Sequence, residues 1–161
     1  MIEFGNHHHG VILSQRMKSV YSPASEIVIS RSEKGNLYGG CIYEGYTGTA
    51  IGIHICGMRP NWINRDLIYF CFAYPFNQLK VNMLLGKVAS TNLEALNIDL
   101  HLGFKVVATI EGAVPGGNLL IVRMDREDCH WLHPRYRPRN LEIHNGSVVH
   151  REEQVCIGSI H

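Results

Sequence analysis

The sequence lacks long apolar runs, a strong net charge and a signal peptide, and each absence excludes a class of protein. No run of about 18 apolar residues exists, so a membrane-spanning helix is excluded. The net charge is +1 with neutral histidines, which implies no strong attraction to nucleic acid or to an anionic membrane. The N-terminus has neither the charged nor the long apolar region of a secretory signal. We therefore expect a soluble, cytoplasmic protein without membrane or nucleic-acid partners.

Paired cysteines are also lacking. The five cysteines are scattered, odd in number and never in a Cys-x-x-Cys pair. Three lie inside apolar segments, where a free thiol usually acts as a small core residue. The adjacent residues His7, His8 and His9 can bind a metal ion in principle, but no Cys or carboxylate stands nearby at ligand spacing. We expect a solvated or tag-like segment there and no metal site.

What the sequence does have is a central segment, 49–104, with alternating strand and helix patterns. The chain has 161 residues, the length of one domain, and 45% of them are hydrophobic. In the central segment an apolar strand at 50–56 precedes a loop at 57–63 and a helix from about 64 to 78. Pro75 should kink this helix or end it early. A buried strand at 83–88 and a helix at 92–102 follow, with Gly103 at the C-cap position.

The flanking segments predict further strands. Residues 26–32 alternate apolar and other side chains, a turn signal at 34–36 follows, and residues 37–46 form a second strand before the one at 50–56, which predicts an antiparallel meander. Gly39 and Gly40 inside the second strand indicate a bulge or a close backbone approach. Residues 105–111 and 118–124 predict a hairpin. Residues 1–25 are poorly patterned, with a short helix compatible with 11–21. Residues 133–161 form a basic, Pro-containing tail, with a short strand compatible with 147–150.

One family fits the order of these elements together with a short motif. Asn92 and Ala95, followed by Leu102-Gly103-Phe104, have the spacing of an N-x-x-A…G-F segment. Together with the element order over 26–132, this resembles the GNAT superfamily of N-acetyltransferases. The closing segment LLIVRMDREDCHWL is similar to that of many bacterial and phage members. The resemblance implies a single α/β (α+β) domain, with a mixed, mostly antiparallel twisted sheet that splays at its centre and is flanked by helices.

The same resemblance implies acetyl-CoA as the co-substrate and an amine as the acceptor. Members of the family move the acetyl group by direct attack of the amine in a ternary complex. They bind the pantetheine arm on the backbone of the cleft-lining strand and the pyrophosphate at the start of the next helix. Carried onto this sequence, the coenzyme-binding residues are Ile55, Cys56, Gly57, Arg59, Asn61, Trp62, Ile63, Asn64, Arg65 and Asn92.

The coenzyme loop departs from the family pattern R/Q-x-x-G-x-G/A. Arg59 matches its first position, whereas Trp62 and Asn64 occupy the two positions that small residues hold in the family. We expect the bulk of Trp62 to restrict the approach of the pyrophosphate unless its ring turns outward.

The predicted catalytic residues are His54 and Tyr74. An imidazole on the cleft-lining strand is suited to deprotonate the amine near neutral pH, and Glu44 is a weaker candidate base. In the family a tyrosine on the second helix protonates the departing thiolate. Asp99 stands at that position here and is an anion at neutral pH unless its pKa is raised. We expect Asp99 to be a solvated helix residue, so that water, Tyr69 or Tyr74 supplies the proton.

Several alternatives remain open at this point. Cys56 is a candidate nucleophile. However, no histidine stands at a spacing typical of an activating base, which favours a buried structural thiol. The degenerate loop and the missing tyrosine also fit a CoA-binding or structural relative with little chemistry. A nucleic-acid or protein acceptor is the third reading, because the tail interleaves basic and aromatic residues. Those residues are His133, Arg135, Tyr136, Arg137 and Arg139. The amine acceptor is not identified, and a homodimer with a swapped tail is also open.

Overall fold

One mixed sheet forms the centre of the protein. The computed structural model describes residues 1–138 and the backbone of 141–144 and 147–150. The sheet has nine strands in the order β6-β7-β5-β4-β3-β2-β1-β9-β8. They are β1 (Ile2–Phe4), β2 (Ile27–Glu33), β3 (Asn36–Glu44), β4 (Ala50–Gly57), β5 (Met83–Ala89), β6 (Lys105–Val114), β7 (Gly117–Asp125), β8 (Leu141–His144) and β9 (Ser147–His150). All neighbouring strands are antiparallel except β4 and β5, which are parallel.

Helices cover both faces of this sheet. They are α1 (His7–Arg16), α2 (Arg65–Ala73) and α3 (Leu93–Leu102). Leu13 of α1 packs against Val28 and Ile42 on one face, whereas α2 and α3 enclose the main core on the other. Among the described residues, no helix has the length and apolar character needed to cross a bilayer. The predicted fold class is therefore confirmed.

Most of the predicted elements form close to their expected bounds. The meander of β2, β3 and β4 is confirmed, and the register of β2 on β3 shifts between Arg31 and Ser32, opposite Tyr38. Gly103 ends α3 with a φ of 108°, the left-handed conformation that a glycine C-cap supplies. The hairpin of β6 and β7 is confirmed, and β9 lies where a short strand was expected.

Pro75 ends α2 early, as predicted, and the fold compensates for its missing N–H. The α-helix stops at Ala73 and continues as one π-helical turn, Tyr74–Gln78. A proline at position 75 cannot donate to the carbonyl of Cys71, four residues earlier. The Tyr43 hydroxyl donates to that buried carbonyl instead, at 2.7 Å. The strand β3 thus satisfies an acceptor that the helix leaves open.

The N-terminal segment differs from the expectation of a solvated or tag-like stretch, which is wrong. Asn6 caps α1 by accepting from the His9 amide, so the histidine run forms the first helical turn. His9 is buried, and its Nδ1 lies 2.8 Å from the Ser30 hydroxyl oxygen. β1 pairs with β2 and extends the sheet. A three-residue strand has too little pattern to be recognised in sequence.

The start of the C-terminal tail folds back onto the helices. Three 3₁₀ turns, Arg126–Asp128, His130–Leu132 and Pro134–Tyr136, follow β7. Trp131 donates from Nε1 to the Leu102 carbonyl at 2.7 Å, and its ring stacks on Phe72 at 9°. Arg139 and the carboxylates Glu152 and Glu153, part of the predicted tail, lie outside the described residues.

Candidate active site

The candidate site is a gap in the sheet, where β4 and β5 separate. Their parallel pairing covers three residue pairs and ends at Gly52 and Leu85. Beyond that point β4 continues to pair with β3 as far as Gly57, and β5 continues to pair with β7 as far as Ala89. The backbone N–H and C=O groups of a strand point alternately to its two sides. Those of residues 53–57 that point away from β3 face the gap, and no described strand pairs with them. The backbone of Ile55, Cys56 and Gly57 therefore borders the gap, as the resemblance implied.

His54 lies at this gap on the face that α1 covers. Its neighbours Ile53 and Ile55 pack toward the main core, so its side chain points the other way. His54 Nε2 is 2.8 Å from Glu44 Oε1, and Lys87 Nζ is 3.5 Å from the same oxygen. The hydrogen bond from His54 lowers the pKa of Glu44, so the carboxyl is ionised. Because a carboxylate only accepts, Nε2 carries the proton of the neutral imidazole and Nδ1 has a free lone pair.

Asp99 differs from its expected character as a solvated helix residue, and that expectation is wrong. The residue is partly buried on α3, and burial raises the pKa of its carboxyl to about 6, partly offset by the attraction of His54. A measurable fraction of Asp99 is therefore protonated near neutral pH. This shift is not visible in the sequence, because it depends on how far the packing of α3 buries the carboxyl.

A row of unoccupied backbone donors lies where β4 leads into α2. The Asn64 side chain caps α2 by accepting from the Leu67 amide at 2.8 Å. The Trp62 amide closes a turn at 60–61, whereas within the described part of the chain the amides of Asn61, Ile63, Asn64 and Arg65 have no protein acceptor. Asn61 has a φ of 58°, and Arg31 Nη1 donates to its carbonyl at 2.7 Å. With the partial positive charge of the helix start, these amides form a surface that suits an anion. Asp66 in the first turn adds an opposing negative charge.

Trp62 lies on the sheet. A Cβ atom on Gly39 would come within 2.6 Å of the indole, and one on Gly57 would overlap it. The ring therefore rests on the surface that these two glycines leave open, and it packs against the main core. The ring thus lies against Gly57, a residue predicted to bind the pantetheine arm, and the expected restriction by Trp62 stays a prediction. The sequence indicated a close approach at Gly39 but did not indicate that Trp62 is the residue that approaches it.

The remaining predicted coenzyme residues have mixed placements. Arg59 is exposed beside the loop and donates to Asn36 Oδ1 at 3.0 Å. Arg65 begins α2 and donates from Nε to the Tyr136 carbonyl at 3.3 Å. Ile63 is part of the loop just before the Asn64 cap. Asn92 caps α3 by accepting from the Ala95 amide at 3.2 Å.

Tyr74 lies on the sheet face opposite His54, whereas Cys56 lies two residues beyond His54 on the same face of β4. The Tyr74 ring packs against Phe4 and Tyr43, on the sheet face that α2 covers. Its role as an acid stays a prediction that this packing does not favour. Cys56 is buried, and burial raises the pKa of its thiol, which fits a structural role. Within the described residues, no group of three metal-ligating side chains comes together.

Comparisons with known proteins find structural likeness without sequence likeness. No protein-family model and no curated protein match the chain. A variant of spermidine N-acetyltransferase SpeG from Vibrio cholerae superposes with a TM-score of 0.57 at 15% identity, over 68% of this chain and 69% of that one. The Campylobacter jejuni N-acetyltransferase PseH in complex with acetyl coenzyme A gives 0.51 at 18%, over 74% and 79%.

A third structure supports the same fold. An acetyltransferase of the GNAT family from Bacillus anthracis gives a TM-score of 0.53 at 10% identity, over 76% of this chain and 86% of that one. The chain has the fold of the GNAT superfamily of N-acetyltransferases.

Proposed function

We propose that the protein is an N-acetyltransferase that moves an acetyl group from acetyl-CoA to an amine. The single observation that carries this is the parallel pair β4 and β5 separating beside His54, with free amides at the start of α2 next to the opening. Two structural neighbours support the choice of ligands. One is in complex with acetyl coenzyme A, and another, from Vibrio cholerae, is in complex with CoA and spermine.

The coenzyme uses both sides of the gap in this proposal. Its pantetheine amides pair with the open side of β4 at Ile55, Cys56 and Gly57, as an added strand does. Its pyrophosphate meets the amides of 61–65, and Arg59 and Arg65 add positive charge at the two ends of that row. The acetyl thioester then lies in the opening near His54.

His54 acts as the general base. The amine nitrogen attacks the thioester carbonyl, its proton passes to His54 Nδ1, and the carbon–sulfur bond breaks to release the CoA thiolate. Glu44 holds the imidazole so that Nδ1 faces outward, and it stabilises the imidazolium that forms. The thiolate takes up a proton from water, from Tyr74 as the sequence predicts, or from Asp99, whose raised pKa makes it a second candidate.

A thiol-release assay tests this function. Acetyl-CoA is supplied with a panel of primary amines, including spermidine and spermine, and the acetylated product is identified by mass. We expect amine-dependent release of CoA that falls about 10²–10⁴-fold in His54→Gln. The control His101→Gln, on an exposed position of α3, should keep full activity. Coenzyme binding without acetyl transfer to any amine would favour the alternative of a CoA-binding relative.

A further inference from the structure

A second surface lies beside the start of α2, away from His54. Residues Arg65, Trp131, Arg135 and Tyr136 line a cavity of about 380 Å³. Arg65 is the first residue of α2, and the other three belong to the 3₁₀ turns that follow β7. We call this the aromatic–arginine pocket. Its size is at the lower end of the range for small-molecule sites, which suits one nucleotide better than a longer chain.

The aromatic side of this pocket is held in place by the core. Trp131 is fixed by its hydrogen bond to the Leu102 carbonyl and by its stack on Phe72. The Tyr136 ring lies 5.0 Å from the Trp131 ring, tilted by 53°. The His130 ring also lies 4.3 Å from the Trp131 ring, so a nucleobase can stack only on the parts of Trp131 and Tyr136 that line the pocket.

The charged side of the pocket is a pair of arginines from two different elements. Arg65 Nε is 3.3 Å from the Tyr136 carbonyl, which ties α2 to the last 3₁₀ turn. Arg135 lies over the Tyr136 ring at 4.7 Å and donates to its hydroxyl at 2.7 Å. Within residues 1–138, neither arginine forms an ion pair with a carboxylate. Both retain N–H donors for an anion, and arginine is the side chain best suited to bind phosphate.

The pocket is also joined to the proposed coenzyme loop. Arg65 is the last residue of the loop segment 61–65 and also lines the pocket, so the loop and the pocket share this residue. A ligand whose phosphates lie on the amides of 61–65 therefore has its next chemical group beside Trp131 and Tyr136. In a coenzyme A molecule that group is an adenosine with a 3′-phosphate.

We propose that the aromatic–arginine pocket binds the adenosine 3′-phosphate end of the coenzyme, with the base on Trp131 and Tyr136 and the phosphate on Arg135. This inference rests on the proposed function and adds to it a nucleotide site built from the segment after the last hairpin. Arg65 then bridges the pyrophosphate and the adenosine. Arg135 and Tyr136, two of the residues that suggested nucleic acid in the sequence, then serve a single nucleotide.

Calorimetric titrations of the full chain with CoA, dephospho-CoA and adenosine 3′,5′-bisphosphate test the proposal. Dephospho-CoA lacks only the 3′-phosphate, so we expect it to bind about tenfold more weakly than CoA. Arg135→Ala should remove most of this difference by weakening CoA alone. Arg137→Ala, the same change at an exposed neighbour outside the pocket, should leave both affinities unchanged. Tyr136→Leu should weaken both ligands and the bisphosphate.

Each outcome separates this inference from the proposed function. Equal binding of CoA and dephospho-CoA, or a difference that Arg135→Ala leaves intact, overturns the pocket and leaves the acetyltransferase proposal standing. Binding of the bisphosphate through Arg135 without binding of CoA supports the pocket and overturns the acetyltransferase proposal. If a single-stranded oligonucleotide competes at lower concentration than the bisphosphate, the pocket serves nucleic acid and the inference is wrong. No binding of any ligand overturns both.

Discussion

At the scale of single residues, burial acts on two side chains, Asp99 on α3 and Tyr43 on β3. In the structure Asp99 has its pKa raised to about 6 by burial, and Tyr43 supplies the hydrogen bond that Pro75 denies to α2. Neither property follows from local pattern, because each depends on an element that packs from elsewhere in the chain.

Asp99 should make the stability of the protein fall as pH rises. Below about pH 4 the carboxyl is protonated in both the folded and unfolded states, so burial carries no electrostatic cost. Between about pH 4 and 6 the unfolded state ionises first, and the folded state loses stability until its own carboxyl ionises. Asp99→Asn removes this loss. Because solvent partly screens the carboxyl, we expect the variant to be about 1–2 kcal/mol more stable than wild type at pH 8.

Urea unfolding of wild type and Asp99→Asn at pH 4 and pH 8 measures this difference. The two proteins should have nearly equal free energies of unfolding at the lower pH. A difference that is the same at both pH values contradicts the raised pKa.

Tyr43→Phe should destabilise the protein by about 1–3 kcal/mol, because it leaves the buried carbonyl of Cys71 without a donor. Tyr46→Phe is the matched control, since the Tyr46 ring is exposed and its hydroxyl donates to the Leu79 carbonyl at 3.5 Å. Thermal and urea unfolding give both values. In a Pro75→Ala background an N–H returns to position 75, so Tyr43→Phe should lower the free energy of unfolding by less. An equal loss in both backgrounds would show that the Tyr43 hydroxyl does not act by replacing that N–H.

At the scale of elements, the residue that caps α2 both stabilises the helix and borders the proposed ligand site. Asn64 caps α2 at the point where the anion is proposed to bind, so one side chain serves the helix and borders the ligand. Asn92 has the same capping geometry at the start of α3. The sequence named both asparagines as predicted coenzyme residues, and their capping roles come from the structure.

Asn64→Asp should therefore separate the two roles of this residue. An aspartate keeps the cap and interacts favourably with the helix dipole, so the stability should stay the same or rise by up to about 1 kcal/mol. The added negative charge should weaken acetyl-CoA binding several-fold by repelling the phosphates. Asn64→Ser keeps the cap without the charge and is the control. Unfolding and titration experiments on both variants measure the two effects, and equal affinities would place the phosphates elsewhere.

At the scale of the whole molecule, the order of strands and helices was largely predictable, and the ends of the chain were not. Residues 26–125 have clear period-two and helical patterns, and their elements form as expected. The terminal segments differ because their stability comes from distant partners. His9 is fixed by Ser30, and Trp131 is fixed by Leu102 and Phe72. The resemblance located the gap between β4 and β5, but only the structure shows the Glu44–His54 pair and the place of the Trp62 ring.

The measurement that tests the central claim most directly is a calorimetric titration of the full chain with acetyl-CoA. The arrangement of free amides beside the separated strands predicts a dissociation constant in the micromolar range for wild type. Arg59→Ala removes a guanidinium next to the loop and should weaken binding, whereas Arg137→Ala should not. Absence of binding at millimolar acetyl-CoA would contradict the account, because the gap and the loop would then serve another purpose.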